Sequence, residues 1–277
     1  MAISISDIKK LRDMTGAGMG DCKKALESSD GDIEGAIDFL RKLGQKLSVK
    51  RSDREAKEGV CLALTTEDGK AGIVLKLSCE TDFVAKNEKF VTLATEFAQV
   101  ALANLPADAA ALATLTFEEG VTVAEKVEEQ IGIVGEKLEI VGYSKLETAD
   151  GQVVPYIHAG NRAAVIVALN QEGEAAAEAG KNAAMQVAAM KPLAVDAAGV
   201  DADTISREIE IGKEQARAEG KPEAMLERIA QGKLQRFYKD NTLLAQDYVK
   251  GDGTVASYLN SVSNGLTITA FKHIMLG

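Results

Sequence analysis

Gly72-Ile73-Val74-Leu75-Lys76-Leu77 runs directly into Ser78-Cys79-Glu80-Thr81-Asp82-Phe83-Val84-Ala85-Lys86-Asn87. The first stretch is a short apolar run and reads as a buried strand. Asn87 then opens a long helix, because its side-chain oxygen can accept an orphan N–H of the first turn. Phe90, Leu93, Ala94, Phe97, Val100 and Ala101 follow at helical spacing. Working outward, Val60-Cys61-Leu62-Ala63-Leu64 alternates loosely, and Glu67-Asp68-Gly69 is a hairpin signal, so two antiparallel strands precede the helix. After it come an Ala-rich stretch, an acidic helix over about 124–131 and a strand over 138–143.

The second half repeats this order. A strand over 153–158 meets the turn Gly160-Asn161, and Ala163-Ala164-Val165-Ile166-Val167-Ala168-Leu169 is a second strand. A helix through Met185, Val187 and Met190 follows. Ala98-Gln99-Val100-Ala101 echoes Met185-Gln186-Val187-Ala188, and both helices end near a proline, Pro106 and Pro192. This is a degenerate duplication, one sheet-and-helix unit per half. An inserted helical hairpin occupies about 203–239, with Gly220-Lys221-Pro222 stopping one helix and starting the next, Pro suiting the first helical position. Its apolar positions are Ile205, Ile209 and Ala216, then Leu226, Ile229, Ala230, Leu234 and Phe237. Thr254 caps a short helix through Tyr258 and Leu259, and 266–275 alternates as a last strand.

Residues 1–44 read as three short helices. Ser6 is expected to cap the first (Ile8, Leu11), Asp21 the second (Cys22, Ala25, Leu26), and Asp30-Gly31-Asp32 to break the chain and cap the third (Ile33, Ala36, Ile37, Leu40). The mixed-charge stretch 46–57 reads as a solvated linker. The predicted class is α+β. An N-terminal three-helix unit and linker span 1–52, and the two related sheet-plus-helix subdomains span 53–145 and 146–277.

The chain has 277 residues and a net charge of −10, without an obvious basic patch beyond 46–57, which argues against direct nucleic-acid binding. Three cysteines without a CxxC pair argue against a disulfide framework and fit a reducing cytosol. The start MAISISDIKK has no apolar segment of signal-peptide length, and no apolar run reaches membrane-spanning length. A cytoplasmic protein is expected. Five Gly-Lys pairs occur, none followed by Ser or Thr, so there is no phosphate-binding loop. Gly16-Ala17-Gly18-Met19-Gly20 lacks dinucleotide spacing and follows a helix. It is either a plain turn or one that exposes Met19 as a contact. His158 and His273 form no zinc cluster with the cysteines. No cofactor or metal is expected. A Cys79–His158 nucleophile pair has no local support, and His158 at a strand end reads as a surface residue.

Phe83 has two readings. It plugs the gap between strand and helix, or it protrudes as an aromatic anchor. The matching loop of the second half, Asn170-Gln171-Glu172-Gly173-Glu174-Ala175, has no aromatic residue. A Phe required to close the unit should have a counterpart there, which favours the anchor.

The run Thr81-Asp82-Phe83-Val84-Ala85-Lys86-Asn87, preceded by Cys79-Glu80, resembles the signature of the elongation factor Ts family. So does Leu11-Arg12-Asp13-Met14-Thr15-Gly16-Ala17-Gly18-Met19-Gly20-Asp21-Cys22-Lys23-Lys24-Ala25-Leu26. Weaker likeness continues through Tyr156-Ile157-His158, Gly220-Lys221-Pro222 and 255–259, so the resemblance spans nearly the whole chain. It implies a ubiquitin-associated-like N-terminal bundle and a non-enzymatic guanine nucleotide exchange factor. The partner is the GTPase elongation factor Tu in its GDP form, bound as a simple pair, a homodimer or a 2:2 complex. By the motif, Thr81, Asp82, Phe83 and Val84 approach its nucleotide site, where Phe83 helps dislodge Mg²⁺ so that GDP leaves and GTP can bind. Arg12, Met19 and Lys23 of the bundle, Val134-Gly135, and His158 are the other implied contacts. Two departures stand out. Gly20 replaces a second bulky residue, and Gly277 follows the last strand where many relatives have a further helix. A small-molecule enzyme using Cys79 or His158, and a binding adaptor built on the bundle, are the competing readings.

Overall fold

A computed structural model describes residues 3–277 of the chain. Its N-terminal unit is α1 (Ile5–Thr15), α2 (Met19–Ser28) and α3 (Ile33–Arg51), closed around Ile8, Leu11, Cys22, Ala25, Leu26 and Ala36. Met1 and Ala2 of the predicted unit lie outside the described residues. Three local expectations are corrected. Ser4, not Ser6, caps α1, because Asp7 stands three residues after Ser4 and completes a reciprocal capping box. Gly18 is the cap of α2, and Asp21 sits inside its first turn. The third helix does not stop near residue 44. It runs through the expected linker to Arg51, because its apolar spacing continues through Gly44 and Leu47 onto the rest of the molecule. Asp32 does cap α3, accepting from the Gly35 amide.

The core begins with the hairpin β1 (Glu58–Thr65) and β2 (Ala71–Cys79). A single helical turn α4 (Asp82–Ala85) leads to α5 (Glu88–Asn104), capped by Asn87 as expected. Then come α6 (Ala109–Ala113) and a small ribbon of β3 (Thr116–Glu118) and β4 (Val121–Thr122), none of which was expected. Next are α7 (Val123–Val134), and β5 (Glu139–Glu147), which pairs antiparallel with β2. The second half has β6 (Val153–Ile157), β7 (Ala163–Leu169) and α8 (Glu174–Met190). The inserted hairpin is α9 (Ala202–Ala218) and α10 (Glu223–Asn241), with Pro222 one position earlier than expected, at the cap. The chain closes with α11 (Val255–Val262) and β8 (Ile268–Met275), which pairs antiparallel with β7.

The two sheets have the same plan. Their orders are β1-β2-β5 and β6-β7-β8, each with the second strand central. Successive side chains of a strand point to opposite faces. In β7, Val165, Val167 and Leu169 pack under α8, while Ala164, Ile166 and Ala168 face the other sheet. In β1 and β2, Val60, Leu62, Ile73, Leu75 and Leu77 pack under α5, while Cys61, Ala63 and Val74 meet β7. The result is helix, sheet, sheet, helix. Coverage of both faces explains why β7 is unbroken apolar sequence rather than alternating. Pro155 is tolerated because β6 is an edge strand.

Candidate functional site

The connector between β2 and α5 carries the site. Phe83 lies within it and is 83% exposed, the most exposed large apolar side chain among the described residues. The gap-plug reading is therefore excluded. Its neighbours do the packing, since Val84 and Ala85 turn inward against the core under α5. Thr81 caps the turn, accepting from the Val84 amide at 3.4 Å.

Two carboxylates hold this connector from below. Glu136 accepts from the amides of Glu80 (3.1 Å) and Thr81 (3.0 Å) through one oxygen, and from the Thr81 hydroxyl (2.6 Å) through the other. Glu80 accepts from the Lys137 amide (2.7 Å), an Arg51 guanidinium nitrogen (2.7 Å) and an Arg54 guanidinium nitrogen (2.9 Å). Burial alone would push the Glu80 carboxyl up. The Lys137 amide and the two guanidiniums outweigh it and bring the group down to about 2. Charge-assisted bonds of this kind are the strong ones. On the outer side, half-exposed Asp82 pairs with Lys86 at 2.6 Å, and that bond lowers its carboxyl below the usual range.

Val134 and Gly135 belong to the same place. Val134 ends α7 and lines a groove with Val84, Asn87, Phe90 and Leu93. Gly135 closes the helix in the left-handed region (φ 75°), returning its amide to the Ile131 carbonyl. The next residue is Glu136, so the turn at Gly135 aims the carboxylate that grips Thr81. The structure thus joins Thr81, Asp82, Phe83 and Val84 with Val134 and Gly135.

The other candidates stand apart. Arg12 is exposed in the last turn of α1. Met19 opens α2, 38% exposed, and Lys23 lies one turn on, paired with Glu27. These three lie on the first two helices of the N-terminal unit. His158 directly follows β6, exposed, with Nδ1 2.9 Å from the Tyr156 hydroxyl. The turn after it touches β1, as does α4, so both lie at one end of the stacked sheets. Cys79 is fully buried and donates its thiol to the Thr81 carbonyl. Burial, helped by nearby Glu136, pushes that thiol up to about 12. A thiolate nucleophile is not available at neutral pH. Among the described residues no His, Cys, Asp and Glu cluster is arranged to hold a metal ion, and no helix is long and apolar enough to cross a membrane.

Sequence reasoning missed the clamp: Glu136, and the roles of Glu80, Arg51 and Arg54. Glu80 directly adjoins residues 81–87 and Glu136 directly adjoins Val134-Gly135, which is the available signal. Arg51 and Arg54 lay in the stretch read as a linker.

A family model described as Elongation factor TS matches residues 80–277. Elongation factor Ts of Flavobacterium psychrophilum is 52% identical over 276 residues, covering 99% of both chains. The proteins of that name from Christiangramia forsetii and Cytophaga hutchinsonii are 48% and 49% identical, again over 99% of both chains. Sequence motifs, a duplicated α+β fold and relatives that match end to end agree: the chain belongs to the elongation factor Ts family.

Proposed function

We propose that this chain is a translation elongation factor that acts as a guanine nucleotide exchange factor for the GTPase elongation factor Tu. The observation that carries this reading is Phe83, a large apolar side chain held out in solvent on a turn whose backbone is tied down by Glu136. Exposed, rigidly mounted aromatics are the anchors of protein interfaces. Phe83, flanked by Thr81, Asp82 and Val84, enters the partner near its Mg²⁺ and phosphate site. The bound cation is among the largest charges there, so its loss leaves the phosphates poorly neutralised. GDP then leaves and GTP takes its place.

Exchange needs no covalent chemistry. A protein that binds the nucleotide-free GTPase more tightly than the loaded form must weaken nucleotide binding by the same factor. The chain is accordingly not an enzyme in this reading and needs no cofactor, and it acts in the cytoplasm on a protein rather than on nucleic acid. The buried, protonated Cys79 weighs against the alternative enzyme. Arg12, Met19 and Lys23 form a second contact patch, and His158, at the same end of the sandwich as α4, a third. The test is stopped-flow release of fluorescent GDP from a cognate elongation factor Tu. The full chain should accelerate release in proportion to its concentration and hydrolyse no GTP alone. Release kinetics unchanged over a wide concentration range would sink the proposal.

A further inference from the structure

A one-turn helix has no stability of its own, because nucleation fixes several residues for a single hydrogen bond. Something else must hold α4. Its inward residues, Val84 and Ala85, supply only small apolar contacts, and the Asp82–Lys86 pair is open to solvent. What remains is the Thr81 cap and the pair of carboxylates beneath it. Glu136 takes hold of the two amides that lead into the turn. Glu80 does something different. Its side chain, 15% exposed, joins three segments that are far apart in sequence: the connector itself, the Lys137 amide after α7, and Arg51 at the end of α3 with Arg54 in the turn just beyond.

The end of α3 is itself firmly placed. At Gly44, α3 crosses α7 so closely that a Cβ there would lie 2.5 Å from the Glu128 carbonyl oxygen, and one at Gly132 would lie 3.0 Å from the Gly44 Cα. The helix that completes the N-terminal unit is therefore seated on α7, and two turns beyond the crossing it delivers Arg51 to Glu80. The three parts of the clamp are α3, α7 and the connector.

We propose that Glu80, gripped by Arg51 and Arg54, is a positioning residue for Phe83, and that α3 thereby sets the aim of the exchange loop, while α1 and α2 carry the contact patch. This rests on the exchange-factor reading above. It assigns to the N-terminal unit an effect on exchange that does not pass through its own contact with the partner. A buried carboxylate left with fewer donors becomes costly, so the loop relaxes toward solvent when the guanidiniums are removed. In such sites a displacement of about 1 Å can cost on the order of a hundredfold in rate.

The chain contains no tryptophan, so Phe83→Trp places a single reporter on the loop. Time-resolved anisotropy of that reporter is compared in three full-length proteins: the Trp reporter alone, with Glu80→Gln added, and with Arg51→Gln and Arg54→Gln added. The fast local component should grow about twofold in both altered proteins when each is measured well below its own melting midpoint. In chains that keep Phe83, the same substitutions should lower the saturating rate of GDP release about tenfold or more, with the half-saturating concentration little changed. Arg51→Lys, which keeps the charge, should restore part of the rate. If Glu80→Gln fails to fold, the double arginine substitution decides by the same two readouts. A reporter equally restrained in all folded variants overturns the inference, as does a rate that falls only with the folded fraction. The unaltered chain in the same release assay separates the two claims: no acceleration there defeats the exchange reading, whereas the anisotropy result stands independently of it.

Discussion

The two halves of the core carry the same connector in two states of use. In each, the central strand leaves its sheet and a long helix starts above it. In the second half the connector is short; its ties to the approach of β8 are neutral, and Glu172 pairs with Lys70 of the first half. Asn170 donates to the Gly265 carbonyl and accepts from the Thr267 amide, both at 2.9 Å, while Gln171 bonds the Asn264 carbonyl and the Ser263 hydroxyl. It has no aromatic residue and stitches the helix start to the approach of β8. In the first half the connector is longer, tied by Glu80 and Glu136, and its surplus residues form a turn that holds Phe83 outward. The scaffold does not require that turn, because the other half closes without one. The duplication is thus an internal control: what both halves share holds the fold, and what only one has is free for function.

The sharpest way to break this comparison is to truncate two phenylalanines of the same half. Phe97 lies fully buried under the sheet, edge-on to Phe117 at 5.2 Å between centroids. Phe97→Ala should cost about 3–5 kcal/mol of stability, as core Phe truncations do. Phe83→Ala should leave urea unfolding nearly unchanged yet weaken exchange by about 2–4 kcal/mol, roughly 30- to 1,000-fold. Equal stability losses for the two would return Phe83 to the core and erase the distinction between the halves.

Next in size is the crossing of α3 on α7. Gly44→Ala places a methyl against the Glu128 backbone, which cannot move aside as a side chain could. The overpacking should cost about 1–3 kcal/mol by chemical denaturation. It should also loosen the N-terminal unit, seen as faster amide exchange in α3 than in α5. Unchanged stability would mean that α3 is not seated on α7.

How much of this was legible beforehand follows from where the information sits. Period-two and helical spacing are local, so the hairpins, α5, α8 and the inserted helical pair could be read directly. The matching connector without an aromatic even favoured the outward Phe83. The clamp could not be read, because it joins residues 51, 54, 80 and 136, and nothing in a single chain says which distant charges will meet. The end of α3 was misjudged for a related reason. Its last turns are mostly polar and look like a linker until α7 supplies a surface for Gly44 and the first-half core takes up Leu47. The elements over 109–122 are too short to leave a periodicity.

Acid should distinguish the Glu80 clamp from the neutral ties of Asn170 and Gln171. Glu80 in the folded chain sits at about 2, below the ordinary glutamate value of 4.5. The unfolded chain therefore binds a proton first as pH falls. The contribution of Glu80 is complete above about 4.5 and declines toward about 2. Other lowered carboxylates, such as Asp7 and Glu125, act in the same direction, so the comparison must be with a variant. Urea unfolding between pH 5 and pH 3 should show a shallower loss of stability in Glu80→Gln than in the unaltered chain. Parallel curves would mean that the guanidiniums do not hold Glu80 in solution. The neutral ties of Asn170 and Gln171 have no such dependence.

The smallest expected effect concerns Asp82, next to Phe83 in the motif. Its carboxylate has one partner, Lys86, one turn along at 2.6 Å, and both side chains meet solvent. Exposed pairs at this spacing contribute little, because water screens the charges and ordering two side chains opposes the gain. An acidic residue in the first turn also favours the helix dipole weakly. Asp82→Ala should therefore leave the melting curve within its error and slow GDP release only a few-fold, far less than Phe83→Ala. The turn does not depend on Asp82, since Thr81 supplies the cap and Glu136 the anchorage. Lys86→Ala removes the same pair from the other side and should match Asp82→Ala if the pair is all that matters. If Asp82→Ala instead approaches Phe83→Ala while Lys86→Ala does nothing, the carboxylate itself meets the partner. Then the functional surface of this connector is two adjacent residues rather than one aromatic on a passive turn.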